Sequence, residues 1–152
     1  MAAPLDIAKA CDTLQGQITS GASSISQLAA LRAVKIEPCT SDEMKEMIAT
    51  FKERRDLLIE KLDKIPGMKT NQPDGAFYVF ANVAAFYGKS KDSVTIRNDV
   101  DFCMYALEKA LVALVPGGAF GNADCVRFSY ATSTQNLIEA ADRIKQALAE
   151  LS

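Results

Sequence analysis

The feature that most constrains this chain is a change of period. Over roughly residues 42–64 apolar side chains recur at helical spacing, with Met44, Met47, Ile48, Phe51, Leu58 and Leu62 on one face. Lys45, Glu46, Lys52, Glu53, Glu60 and Lys61 cover much of the rest. Ile65-Pro66-Gly67 then stops the pattern, and PDGAFYVFANV (73–83) reads as a turn followed by an aromatic-rich strand. A long amphipathic helix feeding short strands implies helices laid over a sheet. The fold class expected is α/β of the α+β sandwich kind, with a small, mostly antiparallel sheet covered by helices.

The flanking segments fit that scheme. Upstream, Pro4 suits a first helical position, with Ile7, Ala10, Cys11 and Leu14 on one stripe. QITSGASS (17–24) reads as a loop, and a second helix is expected from about Ser24 until Pro38 interrupts it. Downstream, GKSKDSVTIRN (88–98) reads as a polar surface segment. Asn98 or Asp99 is placed to cap a helix bearing Phe102, Cys103, Ala106, Leu107 and Ala110. LVALVP reads as a short strand ending at Pro116, GGAFGNAD as a glycine-rich loop, and CVRFSYA (125–131) as a third strand. The last helix is expected over about 134–151, through Leu137, Ala140, Ala141, Ile144, Leu148 and Leu151.

Composition excludes several classes of function. The chain has 152 residues and contains no histidine, which removes a His-dependent triad, a His general base and nearly every catalytic zinc site. A net charge of −2 gives no reason to expect nucleic acid or an anionic membrane as partner. No apolar run approaches the roughly 20 residues of a membrane span, and the charged N-terminal segment does not read as a secretory signal. Cys11, Cys39, Cys103 and Cys125 are scattered without a C-x-x-C pair, so reduced, mostly buried thiols in a cytoplasmic protein are expected.

Three segments are candidates for binding. Strand alternation puts Val126, Phe128 and Tyr130 on one side of the third strand and Cys125, Arg127, Ser129 and Ala131 on the other. Arg127 thus has small neighbours along its strand, and its guanidinium is either a surface or ion-paired structural group or a fork for a carboxylate. ALVPGGAFG (113–121) is either a tight connection or a place where backbone approaches a ligand. TSGASSIS (19–26) is either an N-cap loop or an anion site at a helix start. Arg54 and Arg55 read as solvated or ion-paired.

Five segments in order, TSGASSISQLAAL, FKERRDLLIEKLDKIPG, PDGAFYVF, ALVPGGAFG and VRFSYATS, resemble the C-terminal third of class I aminotransferases of the aspartate (or prephenate) aminotransferase branch. The resemblance covers essentially the whole chain. It implies residues 1–35 as a remnant of the large cofactor-binding domain with an interface loop, and 36–152 as the small C-terminal domain. It implies a homodimeric enzyme that uses pyridoxal 5'-phosphate, held on a lysine, to move an amino group from an amino acid, with aspartate expected, to a 2-oxo acid. In VRFSYATS, Arg127 matches the arginine that grips the substrate α-carboxylate. Phe120 is implied to line the substrate pocket, and Thr19, Ser20 and Gly21 to form a loop at the dimer interface near the active site. Relatives in this family often carry Asn where Gly21 stands.

The family's Schiff-base lysine lies in a Ser-Lys motif that no lysine here matches, Lys9 and Lys35 included. The resemblance therefore implies a chain without a catalytic residue of its own, inactive alone and not binding the cofactor. The other reading is a stand-alone carboxylate-binding or protein-interaction module derived from the same fold.

Overall fold

The computed structural model describes residues 3–37 and 40–152. Pro38 and Cys39, and with them the expected interruption of the second helix, lie outside the described residues. The chain divides into two compact units, Met1–Lys45 and Glu46–Ser152.

The first unit holds α1 (Leu5–Ile18) and α2 (Ser24–Lys35). Pro4 sits at the N-cap of α1, one residue before the position expected from sequence. Neither helix contains a buried residue. The stripe expected through Ile7 and Leu14 is present but exposed, as are Ile25, Leu28, Leu31 and Val34 on α2.

A helix, α3 (Asp42–Asp63), leads into the second unit. Its expected core stripe is only half correct. Leu58 and Leu62 are buried and Phe51 packs against the core, but Met44, Met47 and Ile48 are exposed. Helical period marks the apolar face of α3; it does not mark how far along the helix that face is covered.

The sheet of the second unit has three antiparallel strands, β1 (Tyr78–Asn82), β4 (Val115–Pro116) and β5 (Cys125–Ser129), with β5 in the centre. Segment 88–98 is more than a polar surface stretch: β2 (Ser90–Lys91) and β3 (Val94–Thr95) pair as a hairpin. Ile96 just beyond it is fully buried, and Lys91 pairs with Glu150 at the end of the last helix.

Helices α4 (Asp99–Ala110) and α5 (Thr134–Ala149) complete the layer. Asn98 caps α4 by accepting from the Asp101 N–H at 2.9 Å, and Ser133 caps α5 by accepting from the Asn136 N–H at 3.2 Å. One apolar cluster joins Leu58 and Leu62 of α3, Phe102 and Tyr105 of α4, Leu137 and Ile144 of α5, and the β1–β5 face formed by Val79, Ala81, Val126 and Phe128. The helices therefore cover one face of the sheet. Leu107, expected in the core, is exposed; Tyr105 is buried in its helix and its O–H donates to the Ala147 carbonyl at 2.8 Å.

Candidate carboxylate-binding face

The other face of the sheet carries the candidate site. Antiparallel register sets Phe80 opposite Arg127, Tyr78 opposite Ser129 and Asn82 opposite Cys125. Val115 of β4 flanks Arg127 on its second side. Directly opposed residues share a face, so Arg127 stands on the side away from the helix-covered core. It is half-buried there, between a buried Val126 and a buried Phe128 that point the other way.

Small neighbours along the strand are only part of the surroundings. The guanidinium carbon lies 4.2 Å from the centre of the Tyr78 ring and 4.5 Å from that of Phe120. Phe120 in turn meets Phe80 edge-on at 6.3 Å. Aromatic faces attract the cation and restrict its motion while leaving its N–H donors unused. Among the described residues no acidic side chain pairs with Arg127, although Arg55, Arg97 and Arg143 each hold one. Of the readings open from sequence, an ion pair is not found among the described residues, and the position is half-buried rather than fully at the surface. A fixed, partly exposed fork with free donors can take a carboxylate through two parallel hydrogen bonds.

Phe120 reaches this position through the loop between β4 and β5. Residues Gly117–Phe120 form a single 3-10 turn. A Cβ at Gly117 would lie 2.2 Å from the Cys125 carbonyl oxygen and 2.4 Å from that of Asn122, so only glycine fits. The Gly118 N–H donates to the Asp99 carboxylate at 2.7 Å. Asp99 is the one buried charged side chain among the described residues. At the far end of the loop, the Tyr87 O–H donates to the Ala123 carbonyl at 2.6 Å. Burial, then the neighbouring Asp99 and Asp124, push that phenol up to about 12, so it stays a donor. Burial likewise raises the thiol of Cys125, on the Arg127 face, with Asp124 adding to it.

Two of the residues expected at the site, Arg127 and Phe120, are thus brought together. Thr19, Ser20 and Gly21 lie in the first unit, all exposed. Thr19 follows α1 and accepts from the Gln15 side chain, and Ser20 takes a left-handed backbone with its hydroxyl donating to the Gly16 carbonyl at 2.6 Å. A Cβ at Gly21 would meet nothing within 4 Å. Sequence reasoning missed Tyr78 and Asp99. The signal for Tyr78 was available: on a strand paired with β5, the aromatics of PDGAFYVF must fall beside Arg127 once register is known. Asp99 was read only as a possible cap, a role that Asn98 fills.

The sheet face offers a grip for an anion but no amine. Its side chains are those of Tyr78, Phe80, Asn82, Val115, Cys125, Arg127 and Ser129. Lys45, Lys61, Lys64 and Lys91 are each engaged by a carboxylate elsewhere. A pyridoxal phosphate takes a lysine for its aldehyde, and none of these side chains is one. Among the described residues no cluster suits a metal ion, and no helix is long and apolar enough to cross a membrane.

Comparison with known proteins fits these observations. The model of the aminotransferase class I and II family matches residues 1–144. The bifunctional aspartate aminotransferase and glutamate/aspartate-prephenate aminotransferase of Petunia hybrida is 44% identical over 149 residues, 97% of this chain and 31% of that protein. The crystal structure of the aspartate aminotransferase from Rhizobium meliloti is 43% identical with a TM-score of 0.82, covering 99% of this chain and 37% of that one. The aspartate aminotransferase from Thermus thermophilus with maleate is 32% identical with a TM-score of 0.71, covering 96% and 35%. The chain thus spans about a third of the length of these relatives.

Proposed function

Because the chain belongs to the aminotransferase class I and II family, we propose that it is the C-terminal portion of an aspartate-type transaminase and supplies that enzyme's grip on the substrate α-carboxylate. The carrying observation is Arg127, held between Tyr78 and Phe120 with no acidic side chain paired to it among the described residues. In this reading Arg127 binds the carboxylate common to amino acid and 2-oxo acid, and Phe120 walls the pocket and keeps water from the guanidinium. The role is orientation: a carboxylate held by two parallel bonds fixes the direction of the neighbouring carbon's bonds. Pyridoxal phosphate, when bound to the enzyme, supplies the electron sink for amino transfer. The amine that holds it is not on the Arg127 face.

Aspartate as the amino donor is supported by the names of the Petunia, Rhizobium and Thermus relatives; maleate, in the Thermus structure, is itself a dicarboxylate. In the same reading residues 1–35 belong to the large domain and 36–152 to the small one. Thr19, Ser20 and Gly21 serve an interface loop in a homodimer, and the enzyme works in the cytoplasm.

Arg127→Lys, made in the transaminase as its gene encodes it, tests the assignment. Replacing the bidentate fork by a point charge removes about 2–5 kcal/mol of transition-state binding, so kcat/KM for aspartate falls at least about 30-fold while the melting temperature holds. An unchanged kcat/KM sinks the role. Residues 1–152 alone, incubated with pyridoxal phosphate and reduced with borohydride, should show no stoichiometric labelling of one lysine and no turnover. A single labelled lysine with turnover contradicts the view that these residues lack the Schiff-base group.

A further inference from the structure

Asp99 is a buried carboxylate that capping does not explain. The side chain that caps α4 belongs to Asn98, which accepts from Asp101. Burying a carboxylate is unfavourable unless it is hydrogen-bonded, and the bond given to Asp99 leaves its own helix: it accepts from the Gly118 backbone N–H, 19 residues on. Gly118 is the second residue of the turn that ends in Phe120. The first, Gly117, is wedged against the Cys125 and Asn122 carbonyls, so the turn is clamped at Gly117 by packing and at Gly118 by Asp99.

The ring at the end of this turn has little else to hold it. Phe120 is 51% exposed, and its aromatic and cationic neighbours are Phe80, edge-on, and the Arg127 guanidinium. Its place is therefore set by the backbone of the turn rather than by a socket. A shift of the turn moves the ring across the cation.

We infer that Asp99 is a positioning residue: through its bond to Gly118 it holds the Gly117–Phe120 turn so that the Phe120 ring lies over Arg127 and keeps the guanidinium fork in the orientation that takes a carboxylate. Asp99 touches no substrate, and its effect runs through Phe120. This rests on the carboxylate-binding reading of Arg127 given above. A residue acting in this way tunes binding of every ligand that presents the carboxylate, whatever its side chain.

The experiment is steady-state kinetics on the holoenzyme. Asp99→Ala should raise KM for the amino acid and for the 2-oxo acid roughly tenfold or more, as misplacement of a binding group does. The inhibition constant of propionate, a plain monocarboxylate, should rise in parallel, and kcat/KM should fall by at least the factor by which KM rises, because a loosely held carboxylate is also less well oriented. Asp99→Asn, which keeps an acceptor for Gly118, should restore most of the loss. Combined with Phe120→Ala, Asp99→Ala should add little further, because both act on one contact.

A merely structural Asp99 would lower the melting temperature yet leave KM and the propionate constant of the folded enzyme at wild-type values, and that outcome overturns the inference. Full additivity with Phe120→Ala overturns it as well. Should Asp99→Ala not fold, Gly118→Ala replaces it. The added Cβ presses on the Asp99 carboxylate at 3.1 Å, and KM should rise in the same direction; a wild-type KM there also counts against the inference. Arg127→Lys is the control. If it too leaves KM and kcat/KM unchanged, the carboxylate assignment itself fails, whereas an effect of Arg127→Lys without one of Asp99→Ala removes only the role of Asp99.

Discussion

At the scale of single residues, the second unit places charge and thiol with little latitude. Cys103 sits on the buried face of α4, and burial, with Asp99 adding a smaller push, raises its thiol from 9.0 to about 11. The raised value means that the folded state resists the thiolate. The associated stability is intact below pH 9 and is lost as pH climbs toward 11. Iodoacetamide at pH 9 should therefore label Cys103 far more slowly in the native protein than in urea, as read by mass spectrometry of its peptide. Equal rates in the two conditions would show that the thiol is neither buried nor protonated. Arg55 shows the same economy: its side chain pairs with Asp56 and donates to the Pro73 carbonyl at 3.1 Å, so the ion-paired state expected from sequence is met. Arg54 differs, with its Nε buried and without a partner.

At the scale of elements, α4 and α5 are joined by more than apolar contact. The Tyr105 O–H donates to the Ala147 carbonyl near the end of α5. Tyr105→Phe keeps the ring and leaves that carbonyl with the Glu150 N–H at 3.3 Å, so it should cost about 0.5–1.5 kcal/mol in urea unfolding; a midpoint equal to wild type would show that the hydroxyl contributes nothing to the join. The five helices, the three main strands and the turn before β1 were legible because each carries its own period or breaker. Pro66-Gly67 ends α3, the alternation of CVRFS fixes the two faces of β5, and Asn98 is an ordinary cap. The β2–β3 hairpin was not legible, since two-residue strands leave no alternation to read. Nor was the extent of burial on α3, which depends on what lies against each turn. Arg127 and Phe120 were legible as separate candidates; their meeting, and the part of Tyr78, follow from cross-strand register and from a turn whose path a linear pattern does not contain.

At the scale of the whole chain, the two units differ in what holds them. Glu46–Ser152 encloses a continuous apolar cluster, while the helices of Met1–Lys45 bury no residue. Brief trypsin treatment of residues 1–152 should accordingly cut at Lys9, Arg32 or Lys35 first and leave a resistant product beginning near α3. Simultaneous loss of both regions would show that they unfold as one. The unengaged donors of Arg127 matter at this scale too. A ligand arriving there need not first break an ion pair with any of the described residues, so its affinity is governed by its own dehydration and by the stiffness of the two rings. In the reading proposed above, exchange of one carboxylate for the next then passes through a state in which Arg127 has no acid to leave among the described residues.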